Sequence, residues 1–123
     1  MAVVTSSRRV HFEIIHRRSG LLKYFDFVIT GEDCPTYKPD PGPYLLATAR
    51  SGFRKEECLA IEDSQRGLLA AKRAGIGCFM IPTELTRGGN FSSADRVLSS
   101  ISEVPSALMH VDREPGSASY GGE

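Results

Sequence analysis

Three groups of residues in this chain are of the types that phosphate chemistry uses. Glu62 and Asp63 are adjacent carboxylates at the end of a short apolar run, Cys58-Leu59-Ala60-Ile61. Thr5, Ser6 and Ser7 form a run of hydroxyls directly after Ala2-Val3-Val4. Lys38 is an ammonium followed at once by Pro39-Asp40-Pro41. Carboxylate oxygens are what a hard cation such as magnesium requires, and an ammonium and hydroxyls are donors to anionic oxygens. Brought to one place, the set suits a phosphate group bridged by magnesium. Taken alone, Glu62 and Asp63 read equally well as solvated loop acids beside a helix N-terminus.

The elements around these residues decide whether they meet. The apolar run before Glu62 does not alternate, which is the pattern of a strand covered on both faces. Ser64 is a suitable N-cap, Lys72 and Arg73 fall in a last turn and Gly75 is a stop, so a helix is predicted over 64–74. Carboxylates at the carboxyl end of such a strand lie where open parallel sheets bind ligands. The two prolines after Lys38 hold its backbone extended or in a turn and fix it more firmly than a flexible loop would. Upstream, Ala2-Val3-Val4 reads as a strand, followed by a helix over about 8–18 capped by Ser6 or Ser7. That helix is expected to bury Val10 and Ile14, with Phe12 and Ile15 as further candidates. Further predictions are a helical turn at 21–25, a strand at 27–30, and a helix over 43–51 with Leu45, Leu46 and Ala49 on its apolar face. A strand at 77–81, a short edge strand at 96–98 and a partial helix over 101–108 broken by Pro105 complete the pattern. Strands alternating with helices predict a parallel sheet with helices on both faces, and strand tips on one edge. Thr5, Ser6, Lys38, Glu62 and Asp63 then share that edge.

Composition narrows the classes. The 123 residues suffice for one modest domain, expected over 1–111. Residues 112–123 are rich in Gly, Ser and Glu, with one Pro and one Tyr and few apolar side chains, and a disordered tail is expected there. Fifteen basic and 15 acidic side chains give zero formal net charge, which argues against non-specific nucleic-acid binding. No apolar run approaches the roughly 18 residues of a membrane span, and the opening residues lack the charged start of a signal peptide. Cys34, Cys58 and Cys78 are odd in number and lack zinc spacing. Cys58 and Cys78 fall in predicted strands as small apolar residues, and Cys34 reads as an ordinary loop thiol. A reducing, cytoplasmic location is expected. His11 and His16 are five apart, a poor spacing for one metal.

Together, Val3-Val4-Thr5-Ser6-Ser7, Gly31-Glu32-Asp33, Lys38-Pro39-Asp40-Pro41 and the stretch from Ile61-Glu62-Asp63-Ser64 to Ala74-Gly75 resemble the haloacid-dehalogenase-like superfamily. The nearest branch is that of beta-phosphoglucomutase and small phosphosugar phosphatases. The pieces occur in the family's order and span residues 2–108. The resemblance implies a Rossmann-like, three-layer α/β/α core. It also implies magnesium-dependent phosphoryl transfer, by a phosphatase or phosphomutase, on a small phosphorylated metabolite such as a sugar phosphate. Carried across by position, the Thr5 hydroxyl binds the transferring phosphoryl group and Ser6 offers its backbone N–H beside it. Lys38 neutralises the phosphoryl charge and orients the nucleophile. Asp63 ligates Mg2+, with Glu62 binding directly or through water.

The chain also departs from the family. Its members attack phosphate with an Asp-x-Asp sequence at the tip of their first strand. The aspartates here are Asp26, Asp33, Asp40, Asp63, Asp95 and Asp112, no two of them two residues apart. The motif, the first strand and the helical cap domain are absent, so the sequence resembles the C-terminal part of a core and is expected to be inactive alone. The missing strand would lie between the strand ending at Thr5 and the strand ending at Glu62, leaving two open edges. One of three remedies is expected: the two strands pair directly, a second copy makes a homodimer, or an N-terminal half completes the sheet. A non-catalytic phosphate- and magnesium-binding or assembly module is the alternative. A flavodoxin-like or response-regulator-like domain would want an acidic cluster at the first strand, which is not present.

Overall fold

Short β-branched and apolar runs separated by helical segments do form parallel sheets in this chain, but two of them. A computed structural model describes residues 1–113. β1 (Ala2–Val4) pairs in parallel with β2 (Phe27–Ile29), Val3 opposite Val28. β3 (Leu59–Glu62), β4 (Gly77–Met80) and β5 (Arg96–Val97) form a second, three-stranded parallel sheet in that order. The helices are α1 (Arg9–His16), α2 (Gly42–Ser51), α3 (Gln65–Arg73) and α4 (Val104–Arg113), with 3-10 turns at Leu22–Tyr24, Lys55–Glu57 and Ile101–Glu103. Among the described residues β1 does not pair with β3, so the first of the three remedies is not the one adopted. The Lys38 side chain stands between the two strand tips, bonded to both.

Side-chain alternation places helices on both faces of the larger sheet. Ala60, Cys78 and Met80 point to one face, where Tyr44 of α2 and Leu68, Ala70, Ala71 and Ala74 of the α3 segment cover them. Phe79 points to the other face and packs with Ala107 of α4, flanked by Leu59, Leu98 and Leu108. α2 touches both sheets' surroundings, contacting β1, β2 and α3. The result is an α/β, Rossmann-like arrangement of parallel strands between helices. α3 begins as its residues require: the Ser64 hydroxyl accepts from the Gly67 N–H at 3.1 Å. It ends at Gly75, whose φ of 80° is in the left-handed region.

Several burial patterns differ from those predicted. α1 is shorter at both ends and buries only Phe12; Val10, Ile14 and Ile15 are exposed. Polar anchors at its start set the rotation. The Arg9 N–H donates to Glu32 at 2.6 Å and the Arg9 guanidinium to Asp33 at 3.0 Å, so neither Ser6 nor Ser7 caps the helix. In α2 the inward residues are Pro43, Tyr44 and Ala47, while Leu45 and Ala49 face solvent. Tyr44 is drawn inward because its hydroxyl has an acceptor there, Glu62. β3 is not covered throughout: Ile61 is 37% exposed because no strand lies beyond it. Cys58 falls just before β3 rather than within it. Pro105 does not break its helix. It sits at the second position of α4, where a missing N–H costs no helical bond. Among the described residues no helix is long and apolar enough to cross a membrane. All of the expected tail but its first two residues, which end α4, lies outside the described residues.

Candidate functional site

A cleft of about 460 Å3 opens between the tips of β1 and β3. Thr5, Ser6, Lys38, Glu62 and Asp63 all line it, and Val4, Ile61, Ile81 and Ile101 supply its apolar walls. The structure therefore brings together the five residues singled out from sequence. Each arrives from a different local cause. Thr5 follows β1 and remains in register, its N–H donating to Ile29 C=O at 2.9 Å. Its hydroxyl accepts from the Ser7 N–H at 3.1 Å, which curls the chain at the strand tip. Gly31 lets this turn lie close: a Cβ there would stand 2.5 Å from the Ser6 carbonyl oxygen.

Lys38 is delivered by a loop pinned from outside. The Lys38 carbonyl accepts from the Arg66 guanidinium at 2.6 Å, and the Pro39 carbonyl from Arg73 at 3.2 Å. The Lys38–Pro39 peptide is cis, and Asp40 caps the approach to α2 by accepting from the Gly42 N–H at 2.8 Å. Inside the cleft the Lys38 Nζ donates to Val4 C=O at 2.9 Å and to Glu62 Oε2 at 2.7 Å. It also lies 5.3 Å from the Tyr44 ring centroid. The Tyr44 hydroxyl donates to the same Glu62 oxygen. Burial, then the adjoining Glu62 carboxylate, holds the Tyr44 hydroxyl well above the usual phenol range.

Gly67, in the first turn of α3, makes room for this arrangement. A Cβ there would lie 1.8 Å from Glu62 Oε1. Tyr44, Gly67 and Arg66 are thus parts of the site that the sequence reading did not find. A signal for Gly67 was available, since a glycine inside a helical pattern weakens the helix and often marks a close approach. Tyr44 offered only the weaker hint that a buried tyrosine hydroxyl seeks a partner.

The two carboxylates differ sharply. Glu62 is buried and committed to Lys38 and Tyr44. Asp63 is exposed at the cleft and makes no hydrogen bond among the described residues. Among these residues no group of three or more His, Cys, Asp or Glu side chains converges to hold a metal ion. Magnesium is bound through one or two carboxylates and retains several waters. Asp63 fits it as a single hard donor, and Glu62 fits only after giving up a present partner.

A parallel α/β core with hydroxyl, ammonium and carboxylate groups gathered at its strand tips defines a protein of the Rossmann-like α/β class, whose ligand sites lie at those tips. The model of the haloacid dehalogenase-like hydrolases matches residues 1–81, and the chain belongs to that family. It is 40% identical over 93 residues to YhcW of Bacillus subtilis, covering 76% of this chain and 42% of that one. It is 35% identical over 104 residues to validoxylamine A 7'-phosphate phosphatase of Streptomyces hygroscopicus, covering 85% of this chain and 48% of that one. Among solved structures, CbbY from Rhodobacter sphaeroides in complex with phosphate superposes with a TM-score of 0.78 at 36% identity, covering 84% of this chain and 47% of that one. The chain spans about half the length, or less, of the relatives it matches.

Proposed function

We propose that this chain forms the phosphate-facing half of a phosphoryl-transfer site, in a phosphatase or phosphomutase acting on a small phosphorylated metabolite. The observation that carries the reading is the convergence of Thr5, Ser6, Lys38 and Asp63 on one cleft. Phosphoryl transfer spreads negative charge over the transferring oxygens, and fixed donors stabilise it. Lys38, held rigidly by Glu62 and the Val4 carbonyl, places one positive charge there. Thr5 offers a hydroxyl hydrogen and Ser6 a backbone N–H at the neighbouring tip. Magnesium, when bound, supplies further positive charge toward phosphoryl oxygens, and Asp63 is the residue that would hold it. A phosphate-bound CbbY and a validoxylamine A 7'-phosphate phosphatase among the similar proteins support a small phosphorylated substrate.

Among the described residues the carboxylates lining the cleft are Glu62, committed to Lys38 and Tyr44, and Asp63, read here as the metal-holding residue, so neither is free to act as a nucleophile. Turnover of para-nitrophenyl phosphate with magnesium is therefore expected to be absent. Turnover abolished by Asp63→Ala would overturn that expectation, whereas turnover surviving Lys38→Ala would point to a contaminant. The site itself is tested by titrating inorganic phosphate in the presence of magnesium while following the Thr5, Ser6 and Asp63 amide resonances. Saturable shifts at all three are expected, and shifts at none would sink the reading.

The alternative, a non-catalytic phosphate- and magnesium-binding or assembly module, is favoured by one observation. Lys38 is paired with Glu62, which leaves less of its charge for the transition state of a transferring phosphoryl group.

A further inference from the structure

Lys38 is held by two side chains that do not themselves line the cleft. It sits in the segment 34–41, which is neither helix nor strand. Within that segment the Asp40 N–H donates to Tyr37 C=O at 2.8 Å, and Pro39 and Pro41 have no N–H to donate. The carbonyls of Lys38 and Pro39 take their donors from α3 instead: Arg66 at 2.6 Å and Arg73 at 3.2 Å. These two arginines are seven residues apart, which is two turns of helix and about 10 Å along one face. From those two stations their guanidiniums converge on two consecutive carbonyls. Both side chains belong to exposed residues, and neither residue is among those lining the cleft. A lysine stem is long and costly to order. Its ammonium meets both the Val4 carbonyl and Glu62 only from a backbone held in one place and one orientation. A single anchor leaves a segment free to pivot about it, whereas two fix its orientation.

We propose that Arg66 and Arg73 are positioning residues: a two-point clamp from α3 that holds the Lys38 backbone and so aims its ammonium into the cleft. The value of the clamp for phosphate rests on the phosphoryl-transfer reading; its hold on Lys38 does not. The guanidinium is suited to the task because it is always charged and carries its donors in a rigid plane. The same helix begins directly after Asp63 and Ser64 and carries Gly67 against Glu62. Through the clamp, α3 therefore sets the position of the cleft's ammonium as well as that of its two carboxylates.

The hold on Lys38 is tested in the full chain by proton–nitrogen NMR of the lysine ammonium groups. The Lys38 signal is assigned by its loss in Lys38→Met with Glu62→Gln. Arg66→Met with Arg73→Met is expected to speed exchange of the Lys38 ammonium protons with water by about fivefold or more. Amide exchange at Cys78 and Phe79 of β4 should stay as it was, and Arg66→Lys, which keeps a donor, should recover part of the protection. Unchanged ammonium exchange in the double Met variant would overturn the proposal, and so would an equal acceleration at the β4 amides. Titration with inorganic phosphate and magnesium then separates the clamp from the site it serves. The double Met variant is expected to bind phosphate about fivefold more weakly than the parent chain. Weaker phosphate binding with unchanged ammonium exchange would mean that the arginines act by charge alone, against the proposal. Faster ammonium exchange in a chain that binds no phosphate in either form would support the hold on Lys38 and sink the phosphoryl-transfer reading.

Discussion

Lys38, Glu62 and Tyr44 form one buried unit rather than three separate site residues. The Lys38 and Glu62 side chains are 14% and 7% exposed, so their pairing is only partly screened by solvent. Removing one member leaves the other buried without its charge partner. Glu62→Ala is expected to lower unfolding stability by about 3–5 kcal/mol, measured by urea denaturation. The double replacement Lys38→Met with Glu62→Gln should cost less than the sum of its single changes, because no lone charge is left behind. Tyr44→Phe removes a donor to a carboxylate and should cost about 1.5–3 kcal/mol in the same assay. Equal stability of the Phe variant would show that the hydroxyl is not holding Glu62. Lys38 and Glu62 were legible in the sequence as site residues, but Tyr44 and the pairing of the three were not. Nothing local links Lys38 to a carboxylate 24 positions on, or to a tyrosine in the intervening helix.

At the scale of elements, polar anchors at the ends decide which faces the helices bury. Asp33 ties α1 to β2, accepting from the Thr30 N–H at 2.7 Å, the Thr30 hydroxyl at 2.9 Å and Arg9 at 3.0 Å. The Thr30 N–H, then its hydroxyl, hold the Asp33 carboxyl below the usual carboxylate range. A folded value below the unfolded one means stability that is present above the unfolded pKa of about 3.9 and lost as pH falls through the folded one. Asp33→Asn should therefore flatten the loss of stability between neutral and strongly acidic pH, measured by denaturation across that range. An unchanged acid limb would show that Asp33 is not part of it. The same anchoring explains why periodicity misjudged α1 and α2. An apolar stripe identifies a face that can be buried, and the Arg9 and Tyr44 hydrogen bonds chose a different one. α3 had no such conflict: its Ser64 cap, its buried alanines and its Gly75 stop all favour one orientation.

The whole molecule is two sheets joined through α2, the Lys38 bridge and the cleft between them. All four residues of β4 are buried, and α3, α4 and β3 pack around it. The β1–β2 pair is smaller, and α1 adds only Phe12 to its covering. Local stability should follow that imbalance. Native-state hydrogen exchange is expected to show amides of β2 opening at lower free energy than Cys78, Phe79 and Met80 of β4. A single common opening energy for both sheets would contradict it. Burial, then the Glu62 and Asp95 carboxylates, pushes the Cys78 thiol up to about 12, in keeping with the dry interior of the larger sheet.

By itself, the order of residues determined the alternation of strands and helices, the helix stop at Gly75 and the identity of the hydroxyl, ammonium and carboxylate groups at the cleft. Each of these depends on local conformational preference or on side-chain chemistry that travels with the residue. Only the tertiary structure decided that β1 and β3 stay apart, that Glu62 turns to Lys38 and Tyr44 while Asp63 remains open, and that Gly67 clears the space for it. The physical reason is common to all three. Distant groups compete for the same few hydrogen-bond partners in a buried space, and the outcome depends on three-dimensional distances that no local pattern encodes.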